Sequence, residues 1–200
     1  MKRQKNGQVE FLMGNHEFIP LIEDKVFEKL DENPNLEYNK KDYHNFQEKT
    51  FYDLKALSNR ERNEIKQFLL NSLVYKQINV GGTEFYLVHA NSIKDSDKTS
   101  ETVQEIIKTG RKSILKSALQ DRTQNGDCQE KEIQKENVFT IIGHTPKENI
   151  AYNNYGALYI DCGVSYGKKE ALVRLEDGNV MYFDAETERE KMLEKQNVRV

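Results

Sequence analysis

The chain has 200 residues, with 30 basic and 33 acidic side chains and a formal net charge of −3. So even a balance argues against nucleic acid as the default partner. A 36% share of hydrophobic residues with so little net charge excludes global disorder, and apolar runs such as Phe68-Leu69-Leu70 fall far short of the roughly 20 residues that span a bilayer.

Val9 to Met13 reads as a buried strand that stops at Gly14. Behind the basic start it is also too short for an export signal. From Glu17 to about Leu30 the apolar positions Phe18, Leu21, Ile22, Val26, Phe27 and Leu30 recur at helical spacing, and Asn33-Pro34-Asn35 ends the run. A second helix is expected from about Asp42 to Leu57 through Phe46, Phe51 and Leu54. A third starts at Ser58, where Ser58-Asn59-Arg60-Glu61 has the capping-box pattern. Val74 to Val80 and Thr83 to His89 then form a hairpin around Gly81-Gly82, since paired glycines accept the positive φ of such turns. Residues 99–120 are expected to be helical, with an interruption at Gly110, and 124–137 to be a polar loop. Extended stretches follow at Val138 to Gly143, Ala157 to Cys162 and Glu170 to Leu175, the last paired with Val180 to Phe183 across Asp177-Gly178. The charged tail from Ala185 reads as a frayed helix. The organisation is therefore one α/β domain over residues 1–184 and a charged tail over 185–200. Cys128 and Cys162 lack the spacing of a disulfide framework or a thiolate zinc site, so a cytoplasmic location is expected, with no membrane partner.

Three segments put a metal-ligating side chain just after a strand: Gly14-Asn15-His16-Glu17, Leu87-Val88-His89-Ala90 and Gly143-His144-Thr145-Pro146. In α/β sheets, ligands collect beyond the carboxyl ends of the strands. Neutral imidazole and amide oxygen suit Mn, Fe or Zn, and a glycine before the ligand lets the chain approach an ion closely. Each segment also has a plainer reading: a hydrogen-bonded histidine at a strand end, or Asn15 as a helix N-cap with Glu17 in the first turn.

In this order, Gly-Asn-His-Glu, Val-His-Ala and Gly-His-Thr-Pro resemble the motifs of the calcineurin-like metallophosphoesterases, most of all the serine/threonine phosphoprotein phosphatases of the bacterial and phage branch. Tyr159-Ile160-Asp161-Cys162-Gly163, Tyr166-Gly167 and Ala171 to Glu176 are similar to that family's closing hairpin. The resemblance implies a sandwich of two β-sheets flanked by helices and hydrolysis of phosphate monoesters, with a phosphorylated protein or a small phosphate ester as substrate. The family uses two divalent metals as Lewis acids and to generate the attacking hydroxide. Carried over, Asn15, His89 and His144 would bind one metal (Mn, with Fe or Zn as substitutes), His16 would be the general acid, and Arg122 would hold the phosphate. Asn91 and Gln120 stand where the family usually has glycine and tryptophan.

The family pattern opens with Asp-x-His and Gly-Asp-x-x-Asp-Arg-Gly, and neither precedes Gly14 here. Asp42-Tyr43-His44 reads as a solvated helix face and Gly126-Asp127 as a turn, so neither replaces them. The resemblance therefore implies an N-terminally truncated domain that holds at most one metal, is weakly active or inactive alone, and exposes a sheet edge for association with itself or a partner. Two alternatives are a non-catalytic remnant that binds or regulates a partner, and a nucleotide hydrolase like the diadenosine tetraphosphatases.

Overall fold

A computed structural model of the chain describes residues 9–43, 46–91, 98–120, 138–152, 157–184 and 196–197. The first extended stretch touches the sheet at one point. Leu73 N–H donates to Phe11 O at 3.1 Å and Met13 N–H to Leu73 O at 2.8 Å, which makes a parallel bridge at Leu12 rather than the expected five-residue strand. Gly14 then turns the chain directly into α1, Asn15–Phe18, which widens into a π turn over Ile19–Glu23. There Asp24 N–H reaches back five residues to Ile19 O at 2.8 Å. Lys25, at a left-handed φ of 50°, separates this turn from α2, Val26–Glu32. The single helix expected over 17–30 is thus two. The π turn's extra residue and the Lys25 kink still leave Phe18, Leu21, Val26, Phe27 and Leu30 buried.

The second expected helix starts six residues late, as α3, Glu48–Ala56. Its intended first turn is spent on an aromatic cluster. Tyr43 stacks on Tyr38 with ring centroids 5.5 Å apart and meets Phe51 at 5.6 Å, and Tyr38 Oη donates to Phe46 O at 2.8 Å. Asp42 is therefore an exposed turn residue and Tyr43 a core residue, not a helix face; His44 lies outside the described residues. α4, Asn59–Leu70, carries the expected capping box between Ser58 and Glu61.

β1, Leu73–Val80, and β2, Thr83–Val88, form the hairpin, with Gly81 and Gly82 at φ 61° and 89° as a type I′ turn requires. A short strand not expected from the sequence, β3, Ser100–Thr102, adds to β1. Thr102 then caps α5, Val103–Lys108, with Glu105 completing the box. Gly110 at φ 75° breaks the helix before α6, Lys112–Gln120. β4, Val138–Ile142, β5, Ala151–Tyr152, and β6, Ala157–Tyr159, complete a six-stranded sheet of order β3-β1-β2-β4-β6-β5. Within it β2, β4 and β6 run parallel. β7, Lys169–Arg174, β8, Asn179–Asp184, and β9, Gln196–Asn197, form a second sheet. The described end of the tail is thus a strand paired to β8, not a frayed helix.

Alternation along β2, β4 and β6 divides the core. Tyr86, Val88, Ile142, Ala157 and Tyr159 face the helices. Phe85, Ile141 and Leu158 face the other way, where Val173 and Leu175 of the second sheet's arm pack on them. Burial on both faces suits strands that run parallel. The result is an α/β architecture of two sheets with helices, sandwich-like at this level. Among the described residues no helix is long and apolar enough to cross a membrane.

One buried carboxylate ties β3 to this frame. Glu101 is 1% exposed and accepts from Tyr75 Oη at 2.9 Å, Lys98 Nζ at 2.8 Å and the Arg111 guanidinium. Burial works to raise its carboxyl, but hydrogen bonds from Arg111, Lys98 and Tyr75, with the Arg111 charge, outweigh it and hold the pKa at about 2. A carboxyl lowered on folding stabilises the fold above its ordinary value of 4.5 and loses that contribution as pH falls toward 2. Glu101→Gln is expected to cost about 1.5–3 kcal/mol at pH 7. In urea unfolding, the gap from the parent should close between pH 5 and pH 2.

Candidate metal centre

The site is set by backbone pairing before any side chain is considered. In the parallel ladder of β2 and β4, Val88 stands opposite Ile142, and one step further Gly143 N–H donates to His89 O at 3.0 Å. The β4 strand then reverses sharply. Thr145 N–H donates to Gly143 O at 2.6 Å across His144, whose φ is 62°. This is the positive-φ form of a three-residue turn, rare and strained for a residue with a side chain. From the other side of the sheet, α6 braces the end of β2: Ala118 O accepts Ala90 N–H at 2.8 Å and Asn91 N–H at 3.4 Å.

Gly14 brings the third segment in. It caps α1, and Asn15 is the first helical residue, so the Asn15 amide is released from the capping role that its sequence position offered. A Cβ on Gly14 would lie 2.7 Å from Glu17 Oε2 and 3.4 Å from His89 Cε1. The glycine is there because the chain passes too close to the histidine and the glutamate for a side chain.

Three donor atoms then converge. His89 Nε2 lies 3.0 Å from Asn15 Oδ1 and 3.1 Å from His144 Nδ1, with the two imidazole rings edge-on and their centroids 4.9 Å apart. His89 is partly buried. Burial first, then the charges of His144 and His16, push its pKa down to about 4, so at neutral pH it is an uncharged imidazole. A ring nitrogen has one in-plane direction for a hydrogen bond, yet Nε2 faces two polar atoms at contact distance. Both contacts have hydrogen-bond distances, and imidazole nitrogen and amide oxygen are also atoms that ligate divalent metals. His16, one residue along α1, is exposed, and its electrostatic influence on His89 places it at the rim of the same cluster.

Asn15, His89 and His144 thus meet, with His16 beside them. Among the described residues no three His, Cys, Asp or Glu side chains gather into a metal-binding group; the set is two imidazoles and one amide. Arg122, Asp127 and Cys128 lie outside the described residues. Two contributors were missed in the sequence. Glu17 folds its carboxylate back over Gly14, and Ala118 offers only a carbonyl, which no side-chain pattern reveals. No protein-family model matches the chain, and comparison with curated proteins finds no match either.

The turn at His144 generates a test that separates backbone strain from ligand chemistry. Both His144→Gly and His144→Ala remove the imidazole, but only glycine accepts a positive φ without strain. His144→Gly should be more stable than His144→Ala by about 1 kcal/mol, read as the difference in urea midpoint at equal slope.

Proposed function

We propose that this chain binds one divalent metal through Asn15 Oδ1, His89 Nε2 and His144 Nδ1, and acts on phosphate monoesters in the manner of a metallophosphoesterase. The observation that carries the reading is the 3.0 and 3.1 Å spacing of the three atoms around His89. It stands at the strand ends, in the order of motifs that resembles the calcineurin-like family. The donor set of two neutral nitrogens and an amide oxygen suits Mn, with Fe or Zn as substitutes.

A divalent ion held there would act as a Lewis acid toward a phosphoryl oxygen and lower the pKa of bound water. The chain's own residues do the rest. His89 stays uncharged and keeps its lone pair directed at the site. The strained turn fixes His144 Nδ1 beside it, and the β2–β4 ladder holds the two rings at one distance. His16 lies outside the ligand set and exposed, placed to give a proton to the leaving oxygen. Serine or threonine phosphate in a protein is the substrate class that follows from the family resemblance.

A second reading rests on a specific observation: among the described residues no carboxylate joins the three ligands. On that reading the chain binds a metal and a partner, with association through an exposed strand edge, and does not turn over. Hydrolysis of 4-nitrophenyl phosphate with and without added Mn separates the two. The phosphoesterase reading predicts slow Mn-dependent turnover, which His16→Ala lowers by at least about a hundredfold while Mn affinity is unchanged. Mn binding with no turnover above buffer would favour the second reading, and turnover indifferent to His16→Ala would remove that residue from the mechanism. His89→Ala should weaken Mn binding at least about tenfold, as loss of one of three protein ligands requires.

A further inference from the structure

The second sheet leaves one long edge open. Among the described strands β7 hydrogen-bonds to β8 alone and stands at the end of the order β7-β8-β9. The other edge strands are short: β3 has three residues, β5 two and β9 two. Brief edges of that kind are one way a sheet avoids pairing with another chain. β7 runs six residues, Lys169–Arg174, in unbroken register with β8 and without a proline.

Hydrogen bonding decides which groups that edge offers. Gly178 N–H donates to Arg174 O at 2.8 Å, so Arg174 turns its backbone into the hairpin. Backbone direction alternates along a strand, so Leu172 and Glu170 also face β8. Ala171 and Val173 therefore aim their N–H and C=O groups away from it. Side chains alternate as well. Val173 packs inward against the core, whereas Glu170, Leu172 and Arg174 are exposed on the outer face, Leu172 at 49%. Lys169 takes no part in that face: its ammonium bonds Asn149 Oδ1 and lies 4.7 Å from the Tyr182 ring centroid.

The outer face is complementary to itself. Laid antiparallel on a second copy with the two Leu172 side chains opposed, β7 sets Glu170 against the partner's Arg174 and Arg174 against the partner's Glu170. Lys168 and Glu176, exposed at the two flanks of the strand, fall opposite each other in the same register. That register also makes Ala171 and Val173 hydrogen-bonded pairs, as their outward backbone groups require. The leucines become the close, non-hydrogen-bonded pair. Sliding by two residues either way keeps the faces but sets like charges together, Lys168 against Arg174 or Glu170 against Glu176. Asp177 is the one further charge on this stretch, and it is held within its own chain, accepting from Arg174 Nε at 2.8 Å. A guanidinium has donors enough for both carboxylates.

We propose that two copies of this chain associate through β7, antiparallel about a two-fold axis at Leu172, so that the two three-stranded sheets join into one. A two-fold contact of this kind is closed and stops at a dimer. The pairing rests on the association in the second functional reading, gives it a strand and a partner, and needs neither metal nor turnover.

Sedimentation equilibrium of the metal-free full chain, from about 1 µM to about 1 mM, tests it. The mass should rise from the 23.4 kDa monomer toward twice that value. Glu170→Arg sets arginine against arginine at both ends of the contact, and Arg174→Glu sets glutamate against glutamate. Each variant alone should stay monomeric, with the circular dichroism of the parent. Mixed in equal amounts they should dimerise again, because every charge then meets its opposite. A parent chain that is monomeric across the whole range overturns the pairing and leaves Mn binding by Asn15, His89 and His144 to its own test. Dimers of either variant alone, or a mixture that stays monomeric, overturn this register and the proposal with it.

Discussion

The parallel register of β2 against β4 is the constraint on which the rest of this molecule depends. With Val88 opposite Ile142 and His89 O accepting from Gly143 N–H, the residues that leave the two strands are forced to the same level. A slip of one residue would send His89 to the opposite face and dissolve the cluster. That register is protected by burial on both sides of the sheet. Val88 and Ile142 face the helical layer while Phe85 and Ile141 face the second sheet, so no shifted pairing keeps both cores filled.

The site adds local costs that this frame absorbs. His144 sits at positive φ, Gly14 leaves no room for a side chain, and His89 is an imidazole whose surroundings disfavour its charged form. Each feature disfavours the fold in isolation, and all three meet around one nitrogen. Strain and desolvation gathered at one point are features that cluster at functional sites. The surrounding supports are ordinary by contrast: the α6 carbonyl at Ala118, the Glu101 network and the aromatic cluster around Tyr43.

Much of this was legible in the sequence because the signals are local. The Gly81-Gly82 turn, the Ser58 box and the Gly110 break depend on residues a few positions apart, and each appears where the spacing put it. What could not be read depends on contacts distant in sequence. Tyr43 stands eight residues before Phe51, a helical spacing, yet Tyr38 draws it and Phe46 into a ring cluster and the helix starts late. The π turn before Lys25 leaves the apolar periodicity intact and so leaves no trace in it. β3 lies within a stretch that reads as helical, and only its pairing with β1 makes it a strand. At the candidate site, the three segments were visible as motifs, and their meeting was expected only through the family resemblance, since no local spacing reveals it. Asn15 carried two readings, helix cap or ligand, and the geometry of Gly14 turns its amide toward His89.

The proposed metal centre requires Asn15, His89 and His144 to hold one divalent ion. Electron spin-echo modulation of the chain loaded with one equivalent of Mn reads the ligand nitrogens directly. Nitrogen-14 couplings from two imidazoles are expected, reduced to one in His144→Gln with the protein still folded. A spectrum with no imidazole nitrogen coupling, like that of the hydrated ion, would contradict it.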